Sequence, residues 1–63
     1  MSIEKTPDFM DIVKHKFNDV SGTVIATYTI NSIPYLDVRS EDDSRVYWQT
    51  PTANWDVIIA YEP

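Results

Sequence analysis

The sequence predicts an all-β domain: five short strands rolled into a small barrel, with a one-turn 3-10 helix before the last strand. Segments rich in β-branched and aromatic residues alternate with a period of two, most clearly over residues 23–30. Prolines and turn-forming residues separate these segments at short intervals. A barrel is expected because rolling the sheet hides edges that would promote aggregation in a flat sheet.

The N-terminal part allows two interpretations, of which one is helical. Residues 6–8, Thr-Pro-Asp, form a good helix start, with threonine as the N-cap and proline at the first helical position. A helix from this start would place three apolar residues on one stripe at spacings of four: Phe9, Val13 and Phe17.

We favour the second interpretation, a short turn over residues 7–10 followed by a strand over residues 11–17. The β-branched pair Ile12 and Val13 supports it, as does the turn-rich stretch that follows. In this strand, alternate residues share one face: Val13, His15 and Phe17.

Gly22, the only glycine, is expected at a position that needs a positive φ or a β-bulge. Residues 23–30 form the strongest predicted strand, residues 31–34 a loop and residues 35–40 the third strand. Alternation over residues 23–30 directs one set of side chains inward: Val24, Ala26, Tyr28 and Ile30.

The third and fourth strands are predicted to pair as a hairpin. Opposed residues of an antiparallel pair lie on the same face, so Val38 should pair with Val46 and Leu36 with Trp48, all directed inward. This register leaves residues 41–43 as a three-residue acidic tip.

The last part of the chain should close the barrel. Pro51 ends the fourth strand, because proline has no N–H to give to a β-ladder. A one-turn 3-10 helix follows at residues 51–54, and residues 55–60 form the fifth strand. The expected division of the chain is an arm and turn at 1–10, a barrel at 11–60 and a tail at 61–63.

The small size of the chain limits its core. We expect one complete domain of 63 residues, and a domain of this size buries only about 60% of the surface that its unfolded chain exposes. The sequence has no cysteine for disulfides and one histidine, but it has two Trp, four Tyr and two Phe. Either these rings cover a thin monomeric core, or they bury against a second copy in a homo-oligomer.

Charge and hydropathy exclude several classes of protein. Ten acidic against five basic residues give a net charge of −5, which disfavours binding to nucleic-acid phosphates. An acidic nucleic-acid mimic, which would occupy the basic cleft of another protein, is an alternative on the same ground. No apolar run reaches the ~20 residues of a membrane span, and no signal peptide is recognised, so we expect a cytoplasmic protein without a membrane partner.

Three strand segments resemble those of SH3-like barrels. Residues 11–16, residues 22–26, and Pro51 with residues 54–58 look like the first, second and last strands of Tudor-like and KOW-like barrels. This resemblance implies the fold, and it implies a shallow aromatic groove for a peptide.

Residues 9–58 also resemble the plasmid-borne type II dihydrofolate reductases. The shared elements are a Val-basic first strand, Gly22, Tyr28 with Asn31, the Ser40-Glu41 run and Val46. In that family a Val-Gln-Ile-Tyr run lines the pore of a homotetramer and holds folate and NADPH. The run here is Val46-Tyr47-Trp48-Gln49, which keeps only the valine. The resemblance implies, as an alternative function, an NADPH-dependent reductase with Tyr47, Gln49 and Lys16 lining a pore.

The sequence predicts no catalytic residue, metal ligand or cofactor-binding residue. His15 is the only candidate for acid-base chemistry near neutral pH, and no spacing points to a nucleophile or an orienting carboxylate beside it. The acidic tip lacks the glycine and the alternating oxygen ligands of a calcium loop.

Outward-facing aromatic residues carry the functional prediction, since exposed rings mark binding surfaces. We expect a small non-catalytic protein-interaction module, similar in style to accessory or inhibitory proteins of phages and mobile elements. The residues predicted to bind the protein partner are Tyr35, Asp37, Tyr47, Gln49 and Trp55.

Overall fold

The computed structural model describes residues 5–42 and 44–63 and contains one antiparallel sheet of five strands. The predicted all-β class is confirmed, and the described residues contain no α-helix. A 3-10 turn, Thr52–Asn54, precedes the last strand as predicted. The strands in chain order are β1 (Ile12–His15), β2 (Ser21–Ile30), β3 (Ile33–Ser40), β4 (Val46–Pro51) and β5 (Trp55–Ile59).

The sheet has the order β4-β3-β2-β1-β5, so β4 and β5 are its two edges. These edges are not hydrogen-bonded to each other, and the barrel is therefore open rather than closed. The molecule nevertheless measures 30 × 25 × 24 Å along its principal axes. A flat sheet would have one short dimension, so the sheet must curl around its core.

The N-terminal segment forms a turn and a strand, which decides between the two predicted interpretations. Asp11 N–H donates to Asp8 O at 3.1 Å, and Met10 has a φ of 73°. β1 then ends at His15, two residues before the predicted end, and Phe17 lies beyond it with 75% of its surface exposed.

The core is smaller than the predicted inner lining. Val24, Leu36 and Val38 are fully buried as predicted, whereas Trp48 is 68% exposed and Val46 is only half-buried. The complete buried apolar cluster of the described residues is Val13, Val24, Leu36, Val38, Trp55 and Val57. Trp55, which the sequence suggested for a binding surface, is thus the tryptophan that belongs to the core.

A register slip of one residue explains the exposure of Trp48. Val38 pairs with Tyr47 rather than with Val46, and a slip of one residue reverses which side chains face the core. The slip arises in the hairpin loop, where Ser40 N–H donates to Arg45 O at 2.8 Å and leaves residues 41–44 between the strands. Of the predicted three-residue tip, Asp43 lies outside the described residues.

A β-bulge in β2 changes the predicted inward face. Val24 pairs with Val38 and Ala26 pairs with Asp37, so Ile25 has no partner of its own on β3. Because of the extra residue, Ala26 and the residues after it direct their side chains to the opposite face from the one that simple alternation predicts. The prediction that Val24, Ala26, Tyr28 and Ile30 share the inner face is therefore wrong beyond Val24.

A second bulge lies in β4. Leu36 pairs with Thr50 and Val38 with Tyr47, so Trp48 and Gln49 together oppose Asp37. Gln49 has a φ of 52°, a left-handed conformation that a non-glycine residue adopts only where its surroundings hold it. Pairing continues through Pro51, which is the last residue of β4 and lies opposite Tyr35.

The turn between β2 and β3 is shorter than the predicted loop of residues 31–34. Asn31 and Ser32 have φ values of 51° and 66°, which fits a two-residue type I′ hairpin. Ile33 and Pro34 therefore belong to β3, where Pro34 pairs with Thr29.

Gly22 is needed for close packing rather than for a positive φ, since the structure has no glycine with positive φ. It pairs with Ser40 inside β2. A Cβ at this position would overlap the backbone carbonyl oxygen of Arg39 and would lie 2.8 Å from Val38 Cγ1. Only a hydrogen fits between β2 and β3 here.

We expect Gly22→Ala to lower the free energy of unfolding by about 2 kcal/mol or more, because the methyl group must push two backbones apart. Urea denaturation followed by tryptophan fluorescence measures this loss. The control is Thr29→Ala, an exposed position on the same strand that should change stability by less than ~0.5 kcal/mol. Equal stability of Gly22→Ala and the wild type would contradict the close approach.

A buried carboxylate, Asp11, ties both ends of the described chain to the sheet. Asp11 is 1% exposed, and its Oδ2 accepts the Asp8 N–H at 2.9 Å and pairs with Lys5 Nζ at 2.9 Å. Its Oδ1 accepts the Tyr61 N–H at 2.8 Å. Within the arm and turn predicted at residues 1–10, residues 1–4 lie outside the described residues, and Lys5 is held by its ion pair with Asp11.

These contacts set the ionisation of Asp11. Burial by itself raises the pKa of the carboxyl, but the Tyr61 N–H, the Lys5 ammonium and the Asp8 N–H favour the anion and outweigh burial. The pKa of Asp11 in the folded chain is therefore below its ordinary value. Folding favours the ionised form, so this stabilisation is present above about pH 4 and is lost as the pH falls through the folded pKa.

We expect Asp11→Asn to cost about 2 kcal/mol of unfolding free energy at pH 7, since it removes an ion pair and weakens two hydrogen bonds. The difference from wild type should shrink as the pH falls below about 4, because the wild-type carboxyl then becomes neutral as well. Denaturation curves between pH 7 and pH 3 measure this. Asp19→Asn, at a fully exposed carboxylate, is the control, and its unfolding free energy should not differ from that of the wild type. If the difference in unfolding free energy between Asp11→Asn and the wild type were independent of pH, Asp11 would not be ionised in the folded chain as proposed.

Candidate functional site

The outer surface of strands β2, β3 and β4 is the candidate functional site. The register places its side chains in three rows across the strands, with Ile30 beside Ile33, Tyr28 beside Tyr35, and Asp37 beside the bulge of β4. We call this surface the aromatic face and define it by Tyr28, Ile30, Ile33, Tyr35, Asp37, Trp48 and Gln49.

The aromatic face exposes apolar side chains that a small core could have used. Trp48 is 68% exposed, Ile33 50% and Ile30 40%. Single exposed apolar residues are common on protein surfaces, but several on one face, beside half-buried rings, are typical of interaction sites.

Tyr28 and Tyr35 form a cross-strand pair in the middle of this face. Their ring centroids are 6.2 Å apart and their planes differ by 27°, which is an offset stacked arrangement. The pair exists because the bulge at Ile25 brings Tyr28 to the outer side of the sheet, opposite Tyr35. Each ring restricts the other, so the face presents fixed rather than mobile aromatic surface.

Asp37 connects this pair to β4. The residue is 7% exposed, and its Oδ1 accepts the Tyr28 hydroxyl at 2.8 Å and the Gln49 N–H at 2.7 Å. One carboxylate oxygen thus holds a ring on β2 and the bulged backbone of β4, and it compensates the left-handed conformation of Gln49. The position of Trp48, next to Gln49, follows from the same bond.

The phenol of Tyr28 is affected by this contact. Desolvation of the ring, the hydrogen bond to Asp37 and the negative charge of Asp37 together raise the pKa of Tyr28. A neutral phenol can donate to Asp37 whereas a phenolate cannot. The contact therefore persists through the physiological pH range.

A groove lies next to the aromatic face, between the N-terminal strap (residues 5–10) and the β2–β3 hairpin. Its volume is about 370 Å³. It is lined by residues 6–8 of the strap, residues 27–29 of β2, Pro34, Tyr35 and Thr52. Tyr28 and Tyr35 therefore belong to both the face and the groove.

The structure brings together three of the five residues predicted to bind a partner: Tyr35, Asp37 and Gln49. Tyr47 lies on the core-facing side of β4, opposite Val38, and is half-buried. Trp55 is 3% exposed, and its Nε1 donates to Thr50 Oγ1 at 3.0 Å.

The residues predicted to bind a partner did not include Tyr28, Trp48, Ile30 or Ile33, although the structure places all four on the aromatic face. Period-two alternation would place Tyr28 and Ile30 inside, and only the bulge at Ile25 reverses them. No local sequence signal marks this bulge, because Ile25 is an ordinary strand residue.

His15 has structural contacts in this fold. Its Nδ1 accepts the N–H groups of Phe17 and Asn18 at 3.1 and 3.2 Å, and its ring lies edge-on to Trp55 at 4.9 Å. Lys16, the basic residue of the reductase alternative, lies 3.8 Å from Asp56. Within residues 5–42 and 44–63, no group of three or more His, Cys, Asp or Glu side chains could hold a metal ion. The same residues include no helix long and apolar enough to cross a membrane.

We expect Asp37→Ala to lower the free energy of unfolding by about 2–4 kcal/mol, because it removes the acceptor of two charge-assisted hydrogen bonds. Asp37→Asn should lose less, since an amide oxygen still accepts. Denaturation curves measure both, and hydrogen exchange at the Gln49 amide should accelerate. Asp56→Ala is the control, because the ion pair of this half-exposed carboxylate with Lys16 contributes less than about 1 kcal/mol. We call the two hydrogen bonds that Asp37 accepts, from Tyr28 and from the Gln49 N–H, the clamp at Asp37. Unchanged hydrogen exchange at the Gln49 amide would contradict this clamp.

No protein family, curated protein or solved structure shows significant similarity to this chain. The resemblances to SH3-like, Tudor-like and KOW-like barrels and to type II reductases therefore depend on the residues quoted for them. What the structure establishes is the coarser statement that this is a five-stranded antiparallel all-β domain with one 3-10 turn before its last strand.

Proposed function

We propose that the protein is a non-catalytic interaction module that binds a protein partner through the aromatic face. The observation that carries this proposal is the exposure of Trp48, Ile33 and Ile30 on one surface, beside the stacked pair of Tyr28 and Tyr35. In a chain of 63 residues, whose described part has a buried apolar core of six residues, every further apolar group that is buried adds stability. Leaving these groups exposed costs stability, and binding a partner offsets that cost.

The composition of the face fits a protein interface. Tyr and Trp are enriched at interface centres because they bury large apolar area and lose little side-chain entropy. The clamp at Asp37 holds Tyr28 and the backbone beside Trp48 before any partner arrives. Such preorganisation reduces the entropy lost on binding.

Charge supports a basic partner surface. The chain carries a net charge of −5, and attraction between opposite charges accelerates encounter and disfavours acidic partners. Binding should therefore weaken as salt rises, although the apolar contacts persist. A module of this kind suits an accessory or inhibitor protein, including one from a phage or mobile element.

We expect Trp48→Ala to weaken partner binding about 30-fold or more, because truncating a central tryptophan typically costs about 2 kcal/mol or more. Stability should change little, since Trp48 is mostly exposed. The measurement is affinity capture from a lysate of the source cells, followed by titration of the captured protein. Phe17→Ala is the matched control: it removes a ring that is 75% exposed and lies off the face.

Two results would contradict the proposal. One is partner capture that is unchanged by both Trp48→Ala and Tyr35→Ala. The other is a dimeric solution mass that Trp48→Ala converts to a monomer, because the face would then be covered by a second copy of the chain.

A further inference from the structure

β2 is paired on both sides in its first half only. β1 pairs with residues 21–23 of β2, and the chain before β1 reaches Val24 through two bonds, Met10 N–H to Val24 O at 2.9 Å and Val24 N–H to Asp11 O at 3.0 Å. Residues 26–30 pair with β3 alone among the described residues. In an antiparallel pair, every second residue directs its N–H and C=O away from its partner strand. In the described part of the chain, this half of β2 is therefore an open edge.

The groove runs beside this edge. Residues 27–29 form one side of it, and residues 6–8 of the strap form the other. The strap does not fill the edge itself: Pro7 has no N–H to donate, and the Asp8 N–H is already bonded to Asp11 Oδ2 at 2.9 Å. The salt bridge between Asp11 and Lys5 holds the strap in this position.

We propose that the open edge of β2 binds an extended peptide segment of a protein partner, which adds to the sheet as a strand between β2 and the strap. An open edge offers backbone donors and acceptors in the strand repeat, and an extended peptide is the ligand that matches this repeat. The groove shares Tyr28 and Tyr35 with the aromatic face, but its lining does not include Trp48. The peptide would bind the backbone of β2, so this proposal does not depend on the interaction proposed for the aromatic face.

Charge defines the preferred peptide. The groove lining contains one carboxylate, Asp8, and no basic side chain; all other lining residues are threonine, tyrosine or proline. A peptide with Lys or Arg near Asp8 and small or β-branched residues elsewhere fits this lining. A second copy of the chain fits poorly, because it carries the same net charge of −5 and a strap along its own edge.

The probe is a phage-displayed library of random 12-residue peptides, selected on the wild-type protein. The enriched peptide is synthesised unmodified and with single N-methyl groups at successive positions. Strand addition predicts that N-methylation lowers affinity about tenfold or more at alternate positions and has little effect at those between them. Hydrogen exchange should also slow at alternate amides of residues 26–30. Failure to enrich any peptide, or tolerance of N-methylation at every position, overturns the proposal.

Protein variants locate the bound peptide. Asp8→Lys should weaken the binding of a basic peptide, whereas Asp19→Lys, at a fully exposed carboxylate outside the groove, should have much less effect. Trp48→Ala should leave peptide binding unchanged, because Trp48 belongs to the aromatic face but does not line the groove. Loss of peptide binding in Trp48→Ala, with Asp8→Lys unaffected, would assign the peptide to the face and overturn the strand-addition site.

Discussion

The architecture depends on the contact that Asp37 makes with both neighbouring strands. β3 is regular, but β2 and β4 each contain one extra residue, and both bulges flank Asp37. Its carboxylate binds a side chain from one strand and the backbone of the other. Bulges bend and twist the strands that contain them, so two bulges at one level help a five-stranded sheet to curl around the buried apolar cluster of the described residues. The same bulges place Tyr28 and Trp48 on the outer side.

Two buried carboxylates of the described residues, Asp37 and Asp11, stabilise the fold where larger proteins rely on a thicker core. Asp37 connects three adjacent strands, and Asp11 connects the strap, the start of β1 and the segment after β5. A buried charge is costly to remove from water, so each of these groups stabilises the fold only while its donors stay in place. The positions of β2 and β4 beside Asp37, and of the strap and the C-terminal segment beside Asp11, therefore depend on a few polar contacts. In a domain with marginal stability, this makes the fold specific without a large apolar interior.

The sequence predicted where the strands lie, but it did not predict which side chains of β2 and β4 face the core. β-branched runs and turn residues located all five strands and the 3-10 turn, because these are local preferences. The inward side of β2 and β4 could not be predicted, since it depends on a bulge at Ile25 and on a longer loop before Arg45. Neither feature has a glycine or another local marker. The exposure of Trp48 follows from the longer loop, because it shifts the register of β4 by one residue.

The stability of the fold does not explain why Trp48 is exposed and why Tyr28 lies on the outer side of the sheet. A register one residue different would have buried Trp48, and a β2 without its bulge would have kept Tyr28 on the core side. In the structure, the buried carboxylate of Asp37 instead stabilises both bulges through its hydrogen bonds. These bonds therefore keep Tyr28 and Trp48 on the outer side of the sheet. Local features that oppose core formation and are actively held in place are expected at functional sites. This is why the aromatic face, rather than His15 or the acidic tip, is the surface on which a function for this chain is best argued.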